Sequence, residues 1–271
     1  MDLTYVTYAC EGGIATITVN RPDKLNALNE AVMADIDAAF GHAKADADCR
    51  VVILTGAGEK AFVAGADIGE LAEQDVRGGK AKSLRGQAIL GRIENLGKPV
   101  VAMLNGFAFG GGLELALACH LRTMAVETKI GLPEVGLSII PGYGGTQRLP
   151  RIVGRGRALE MVLGAQPIDA DTAFRFGLVN RVAPRAELRA VTEELVKPML
   201  RNGPLAMGMA AEAVLRGTEV SLEEGLRISW ATSLIRAARR CSVAASVAAR
   251  RFTSPASAAS SRSGGASTWA S

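Results

Sequence analysis

Apolar and polar positions set the first elements. Residues 4–9 (TYVTYA) and 14–19 (IATITV) are short β-prone runs around CEGG, which predicts a hairpin. From Asn29 the period changes. In NEAVMADIDAAFGHAKAD, Val32, Ile36, Ala39 and Phe40 fall on one face, the spacing of an amphipathic helix. VVILTG at 51–56 is an unbroken apolar run stopped by glycine, a buried strand, and VVAMLNG at 100–106 repeats its shape. TMAVE (123–127) and GLVNRVA (177–183) offer two further strands, with helical segments between them. Strand–helix alternation points to an α/β fold with parallel strands. From about Gly203 the strands stop: PLAMGMAAEAVLRG and SLEEGLRISWATSLIRAA read as helices, the second opened by a Ser221–Glu224 capping box. No sequence repeat of fixed period is found.

Three regions result: an α/β core over residues 1–202, a helical C-terminal region over 203–238, and a tail over 239–271. From residue 236 onward Ala, Ser and Arg supply 26 of 36 residues, and the final stretch TSPASAASSRSGGASTWAS has neither helical nor strand period, so disorder is expected there.

Composition narrows the function classes. The chain has 271 residues, 48% of them apolar, enough for a sizeable core. No apolar run reaches 18 residues, so no membrane span is expected. The start, MDLTYVTYACEGG, has no basic segment and no apolar segment of the secretory kind. Four scattered cysteines and two histidines, His42 and His120, make no metal-binding pattern, so no metal is expected and a reduced, cytoplasmic setting is. The net charge of +4 belongs to the tail: residues 236–271 hold six arginines and no acid or lysine, leaving 25 basic against 27 acidic residues before them. A nucleic-acid partner is therefore not expected.

The chemistry concentrates in NGFAFGGGLELALACH, residues 105–120, where one carboxylate, Glu114, follows Gly110, Gly111 and Gly112 within an apolar run. Ordered glycines cost backbone entropy, so bare backbone is needed there. Two needs remain open. A Gly-rich turn before a helix exposes N–H donors to a ligand, and glycine also lets a helix pack closely on a sheet. A second such turn lies in KAFVAGADIGEL, 60–71, where Asp67 and Glu70 read as N-cap and capping-box partner of a helix starting near Ile68, with Gly65–Ala66 as the turn. Two turns aimed at one spot would make an oxyanion hole. Glu134, between Pro133 and apolar neighbours, is a second isolated carboxylate. Burial raises a carboxyl pKa and suits it to proton transfer. Alternatively each glutamate pairs with an arginine, with Arg122, Arg148 and Arg151 to hand.

Together NRPDKLNAL, KAFVAGADI, NGFAFGGGLELALACH, GLPEVGLSIIPGYGGTQRLPRIVG and AFRFGLVNRV resemble the crotonase (enoyl-CoA hydratase/isomerase) family, in the family's order from about residue 12 to 183. The resemblance implies a crotonase-like ββα spiral core, a trimer or dimer of trimers, and an acyl-CoA thioester as ligand, with coenzyme A as part of the substrate and no separate cofactor. It places oxyanion donors on the N–H groups of Ala66 and Gly111, and the catalytic glutamates of the hydratases on Glu114 and Glu134. Substrate-binding positions fall on Lys24, Leu25, Lys60, Ala64, Asp67, Ile68 and Gly142, with Lys24 and Lys60 toward coenzyme A phosphates. Both glutamates being present, hydration of 2-enoyl-CoA to 3-hydroxyacyl-CoA in fatty-acid or related metabolism is the expected activity. Isomerisation or another acyl-CoA lyase reaction is the alternative on the same scaffold. A catalytically impaired acyl-CoA-binding or nucleic-acid-binding protein is a second alternative. The chain departs from the family after EGLRISWATSLI, where an Arg/Ala/Ser sequence replaces the family's acidic-then-basic last helix, as out-of-frame translation of a GC-rich gene would give.

Overall fold

The chain enters through the predicted hairpin. Strands β1 (Val6–Glu11) and β2 (Ile14–Val19) pair antiparallel across Gly12 and Gly13, both at positive φ (58° and 87°). The structure, a computed structural model, describes residues 3–67, 69–70 and 75–237. They fall into two compact units divided between Leu215 and Arg216. Helix α1 (Glu30–Ala45) follows the hairpin as the apolar period requires. Val32, Ile36, Ala39 and Phe40 are buried, and the Asn29 side chain caps its start by accepting the Val32 N–H at 2.8 Å.

Beyond α1 the chain builds two sheets at once. Strands β3 (Val51–Gly56), β5 (Val100–Leu104), β7 (Leu121–Ala125) and β10 (Arg181–Ala183) join the hairpin in a six-stranded sheet of order β1-β2-β3-β5-β7-β10, parallel from β2 onward. Strands β4 (Ala61–Val63), β6 (Phe107–Phe109), β8 (Lys129–Gly131) and β9 (Ile168–Asp169) form a four-stranded sheet in that order. Three times a strand of the large sheet leads to a strand of the small sheet and then to a helix. The helices are α2 (Val76–Glu94), α3 (Gly111–Leu117) and α4 (Gly145–Val153), and α5 (Arg155–Gly164) follows α4 directly. This is the ββα spiral the resemblance implies.

The strand predicted at 51–56 is found as such and the one predicted at 100–106 is found over 100–104, both buried along their observed length; each Val, Ile, Leu or Met side chain so removed from water contributes about 1.5–3 kcal/mol. The strand expected at 123–127 begins two residues earlier, and the one expected over 177–183 is confined to its last three residues. The small sheet escaped the reading because strands of two or three residues are too short to show a period.

The remaining helices of the first unit are α6 (Ala170–Arg175) and α7 (Arg185–Val196), and α8 (Pro204–Gly217) crosses the division. The second unit carries α9 (Leu222–Ala237), so the predicted C-terminal helices are present. At the start of α9 the Glu224 N–H donates to Ser221 Oγ at 3.3 Å, while the Glu224 carboxylate meets Arg227, so half of the capping box is made. The Ala/Ser/Arg tail from residue 238 lies outside the described residues.

The loop from β2 to α1 is fixed by Asn26, fully buried at φ 58°. Its Oδ1 accepts the Arg21 N–H at 2.9 Å, and its Nδ2 donates to the carbonyls of Ala57 (3.0 Å) and Ala61 (2.9 Å). One side chain thus ties this loop to both flanks of the turn before β4. Asn26→Ala strands the buried Ala61 carbonyl, leaves the part-buried Arg21 N–H and Ala57 carbonyl without this partner, and keeps a residue in the left-handed region, so a loss of about 2–3 kcal/mol is expected in urea unfolding.

Candidate active site

Short strands decide where the functional groups stand. Strand β4 pairs parallel with β6 (Ala61↔Phe107, Val63↔Ala108), so the turns leaving their C-terminal ends are neighbours. The first turn holds Gly65, at φ 121°, where a Cβ would stand 3.2 Å from the Phe109 carbonyl oxygen. The second holds Gly110, at φ 51°, and opens into α3. The Gly110 N–H donates to Gly131 O at 3.0 Å. Gly112 answers the question its type raised: a Cβ there would lie 2.0 Å from the Val63 carbonyl oxygen. Glycine at 112 therefore serves close packing of α3 on β4.

Two donors remain unspent. Leu28 bridges Ala66 in parallel fashion: the Leu28 N–H donates to Gly65 O and the Asp67 N–H to Leu28 O, each at 2.8 Å. This ladder uses the groups on either side of the Ala66 N–H and leaves that group out. The Gly111 N–H, in the first turn of α3, has no acceptor within the helix. Among the described residues neither N–H donates to a protein acceptor.

Glu114 is 2% exposed on α3. Its Oε1 accepts the N–H groups of Tyr143 (2.8 Å) and Gly145 (2.7 Å), in the turn that leads into α4. That turn packs onto the glutamate because a Cβ at Gly145 would stand 3.1 Å from Glu114 Cγ. Burial raises the Glu114 pKa above the usual range. The two N–H bonds and the nearby Arg148 charge oppose that shift.

Glu134 opens the one-turn helix Glu134–Leu137. The β6–β8 pairing (Phe109↔Gly131) brings the chain after β8 beside the chain after β6. A Glu134 carboxylate oxygen accordingly lies 3.1 Å from where a Cβ on Gly110 would stand. Glu134 Oε2 is buried with no hydrogen-bond partner. Burial, aided by the Glu114 charge, pushes its pKa up to about 7.

Arginine pairing does not account for either glutamate. Arg148 forms its ion pair with Glu94 (3.0 Å) and donates to the Tyr143 carbonyl (3.1 Å). Arg122 is spent on the carbonyls of Leu178, Cys119 and Ala116, holding the end of α3. Arg151 donates to the Gln147 carbonyl at 2.9 Å.

The other sequence-derived positions divide. Leu25 and Ala64 meet, the Ala64 N–H donating to Leu25 O at 3.1 Å, and exposed Lys24 lies next to Leu25 within range of the Asp67 charge. Gly142 lies against α2, where a Cβ would meet Ser83 Oγ at 2.8 Å. Lys60 is exposed at the opposite end of β4 from Ala64–Ala66, so the structure does not group it with them. Ile68 lies outside the described residues. The Asp67–Glu70 capping box is only half made. Asp67 pairs with Arg21 (2.8 Å) and accepts the Gly69 N–H (3.1 Å), while the Glu70 carboxylate takes the Glu30 N–H and Lys82. Asp67 thus caps through one oxygen and pairs with Arg21 through the other, and only the reciprocal Glu70 half of the box is lost.

Sequence reasoning missed the roles of Tyr143, Gly145, Arg148 and Glu94. The signal was the glycine pair in PGYGGTQR: Gly144 adopts φ 105°, turning the chain so that the N–H groups on either side face Glu114. The groups that line this region are backbone donors and carboxylates. No cluster of His, Cys, Asp and Glu able to hold a metal occurs among the described residues. A separate groove of about 360 Å3, lined by residues of α7 and Arg181, contains none of the groups above.

Glu134 predicts a pH signature. Its carboxyl holds its proton to about pH 7 when folded and to about 4.5 when unfolded. Between those values the unfolded chain binds fewer protons, so stability falls as pH rises through that window. Glu134→Gln removes this loss. Relative to wild type, its stability in urea should rise from no gain near pH 4.5 to roughly 2–3 kcal/mol at pH 8.

Comparisons with known proteins place the chain in a family. Residues 9–234 match the family model described as Enoyl-CoA hydratase/isomerase. The chain is 43% identical over 226 residues to the short-chain-enoyl-CoA hydratase of Clostridium acetobutylicum, covering 83% of this chain and 87% of that protein. It is 40% identical over 218 residues to the crotonyl-CoA hydratase of Syntrophomonas wolfei, covering 80% and 84%. The crystal structure of the enoyl-CoA hydratase from Bacillus anthracis superposes with a TM-score of 0.86 at 35% identity, over 93% of this chain and 98% of that one.

Proposed function

The chain belongs to the enoyl-CoA hydratase/isomerase family, and on that premise we propose that it hydrates 2-enoyl-CoA thioesters to 3-hydroxyacyl-CoA. The observation that carries the reading is the pairing of two differently buried carboxylates with two unspent backbone donors at the ends of adjacent strands. The N–H groups of Ala66 and Gly111 hold the thioester oxygen, where negative charge develops as the β-carbon is attacked. Glu114, an acceptor anchored through Oε1, positions the water and takes its proton. The water oxygen bonds to the β-carbon. Glu134, protonated at neutral pH, gives its proton to the α-carbon. Return of the proton from Glu114 to Glu134 completes the addition of one water. No redox change occurs, so the reading calls for no redox cofactor, and coenzyme A enters as part of the substrate.

Lys24, Leu25, Ala64, Asp67, Ile68 and Gly142 are proposed to line the thioester, and Lys60 to meet the distal phosphates of coenzyme A. Assembly into trimers is part of the same proposal. Leu137, Ile139 and Ile140 beside Glu134 are exposed, as are Leu159 and Leu163 on α5. In the second unit Leu222, Leu226 and Trp230 form an exposed apolar row at i, i+4 and i+8 of α9. Apolar patches of this kind mark contact with other chains. A cytoplasmic place in fatty-acid or related metabolism fits such a substrate, and among the described residues no helix is long and apolar enough to cross a membrane.

Addition of the protein to crotonyl-CoA should remove the enoyl-thioester ultraviolet absorbance and give a product heavier by one water. A product of unchanged mass would mean isomerisation instead. Glu114→Gln and Glu134→Gln should each lower turnover by roughly 10²–10⁴ while thioester binding survives. Gly111→Val crowds the oxyanion donor and should cost roughly 3–4 kcal/mol in kcat. Near wild-type turnover in any of these folded variants would remove the role given to that residue. Analytical ultracentrifugation should find the chain assembled, with truncation after Ile235 leaving sedimentation of the core little changed.

A further inference from the structure

The Tyr143 ring occupies a position the hydratase mechanism does not use. It is 6% exposed. One edge, Cδ2 and Cε2, lies 3.5–3.6 Å from where a Cβ on Gly111 would stand. The opposite edge, Cδ1 and Cε1, lies 2.3–2.4 Å from where a Cβ on Gly86 would stand. The backbone of α2 therefore rests on the ring, and only glycine at 86 permits it. The phenol fills the gap between α2 and α3, next to the N–H proposed to hold the thioester oxygen.

Among the described residues little space lies beyond the ring. The crevice it borders between α1 and α2 measures about 10 Å3, no more than one water needs, and is lined also by Glu30, Met33, Lys82, Arg85 and Ile89. Two ion pairs stand at this rim among the described residues: Arg85 with Glu30 at 2.6 Å and Lys82 with Glu70 at 2.7 Å. An alkyl chain directed past Gly111 toward α2 meets first an aromatic ring and then charge.

We propose that the Tyr143 side chain sets the length of acyl chain this site accepts, closing the pocket to short 2-enoyl groups. The inference rests on the acyl-CoA reading above. With the ring removed, the gap between α2 and α3 becomes a passage lined by Met33, Gly86 and Ile89, and each further methylene buried there is worth roughly fourfold in affinity.

The test measures kcat/KM for C4, C8 and C12 2-enoyl-CoA substrates, and Kd for the matching saturated acyl-CoA thioesters, in wild type, Tyr143→Ala, Tyr143→Leu and Tyr143→Phe. The expected result is a wild type that prefers C4, and an alanine variant in which the C12/C4 ratio rises at least tenfold. The phenylalanine variant keeps the wild-type ratio, because the ring and not the hydroxyl fills the gap. Leucine gives an intermediate cut-off and carries the test should the alanine variant fail to fold. A wild type that accepts C12 as well as C4, or a ratio unchanged in both the alanine and leucine variants, overturns the proposal. Failure of the hydratase reading is told apart by the saturated ligands. If no variant hydrates any enoyl-CoA yet Kd shows the same dependence on chain length and on residue 143, the gate stands and the reaction assignment falls. If no acyl-CoA of any length binds, both fall.

Discussion

The geometry of this site depends on one missing atom. A Cβ at residue 112 would stand 2.0 Å from the Val63 carbonyl oxygen, far inside any contact a folded chain tolerates. Because it is absent, the first turn of α3 lies directly on the end of β4. That contact brings the Gly111 N–H to the turn containing Ala66 and orients α3 so that Glu114 points inward. Arg122 holds the other end of the helix by its carbonyls. The seven-residue helix is thus pinned at both ends, and its side chains have little freedom to drift.

The two carboxylates pay different costs for burial. Glu114 is nearly sealed, but two main-chain N–H groups compensate it and a positive charge lies nearby. Glu134 has an uncompensated oxygen and a like charge in range. Environment rather than residue type separates an acceptor from a group that keeps its proton near neutrality. The difference comes from the Tyr143–Gly145 turn, itself held through Arg148 to Glu94 at the end of α2.

Much of this was written legibly in the sequence, and the exceptions have physical causes. The hairpin, α1, β3, β5 and the C-terminal helices follow from periods long enough to read. Glu114 and Glu134 stood out as lone charges in apolar runs. The ββα spiral was invisible to a search for repeats because its large-sheet strands begin at residues 51, 100 and 121, so the structural turn recurs without a constant period. Asp67 reads as a helix cap and does accept the Gly69 N–H, but local rules see four residues and so miss Arg21, 46 positions away, and the pull of Glu30 and Lys82 on Glu70. The glycines of 110–112 could not be divided by sequence between ligand approach and packing; Gly110 makes room for Glu134, Gly111 carries the free N–H, and Gly112 allows the contact with β4.

A carbonyl held by main-chain N–H groups is recognised by no side chain. On the proposed reading, the groups that polarise a thioester and those that move protons are therefore encoded separately. Substitution can exchange Glu114, Glu134 or Tyr143 without rewriting the hold on the carbonyl, since the peptide bond at residues 66 and 111 is the same whatever stands at the other three. Such a scaffold is evolvable in a specific sense. A lineage that loses one carboxylate keeps an activated acyl group bound in place, a starting point from which selection can recruit a different reaction.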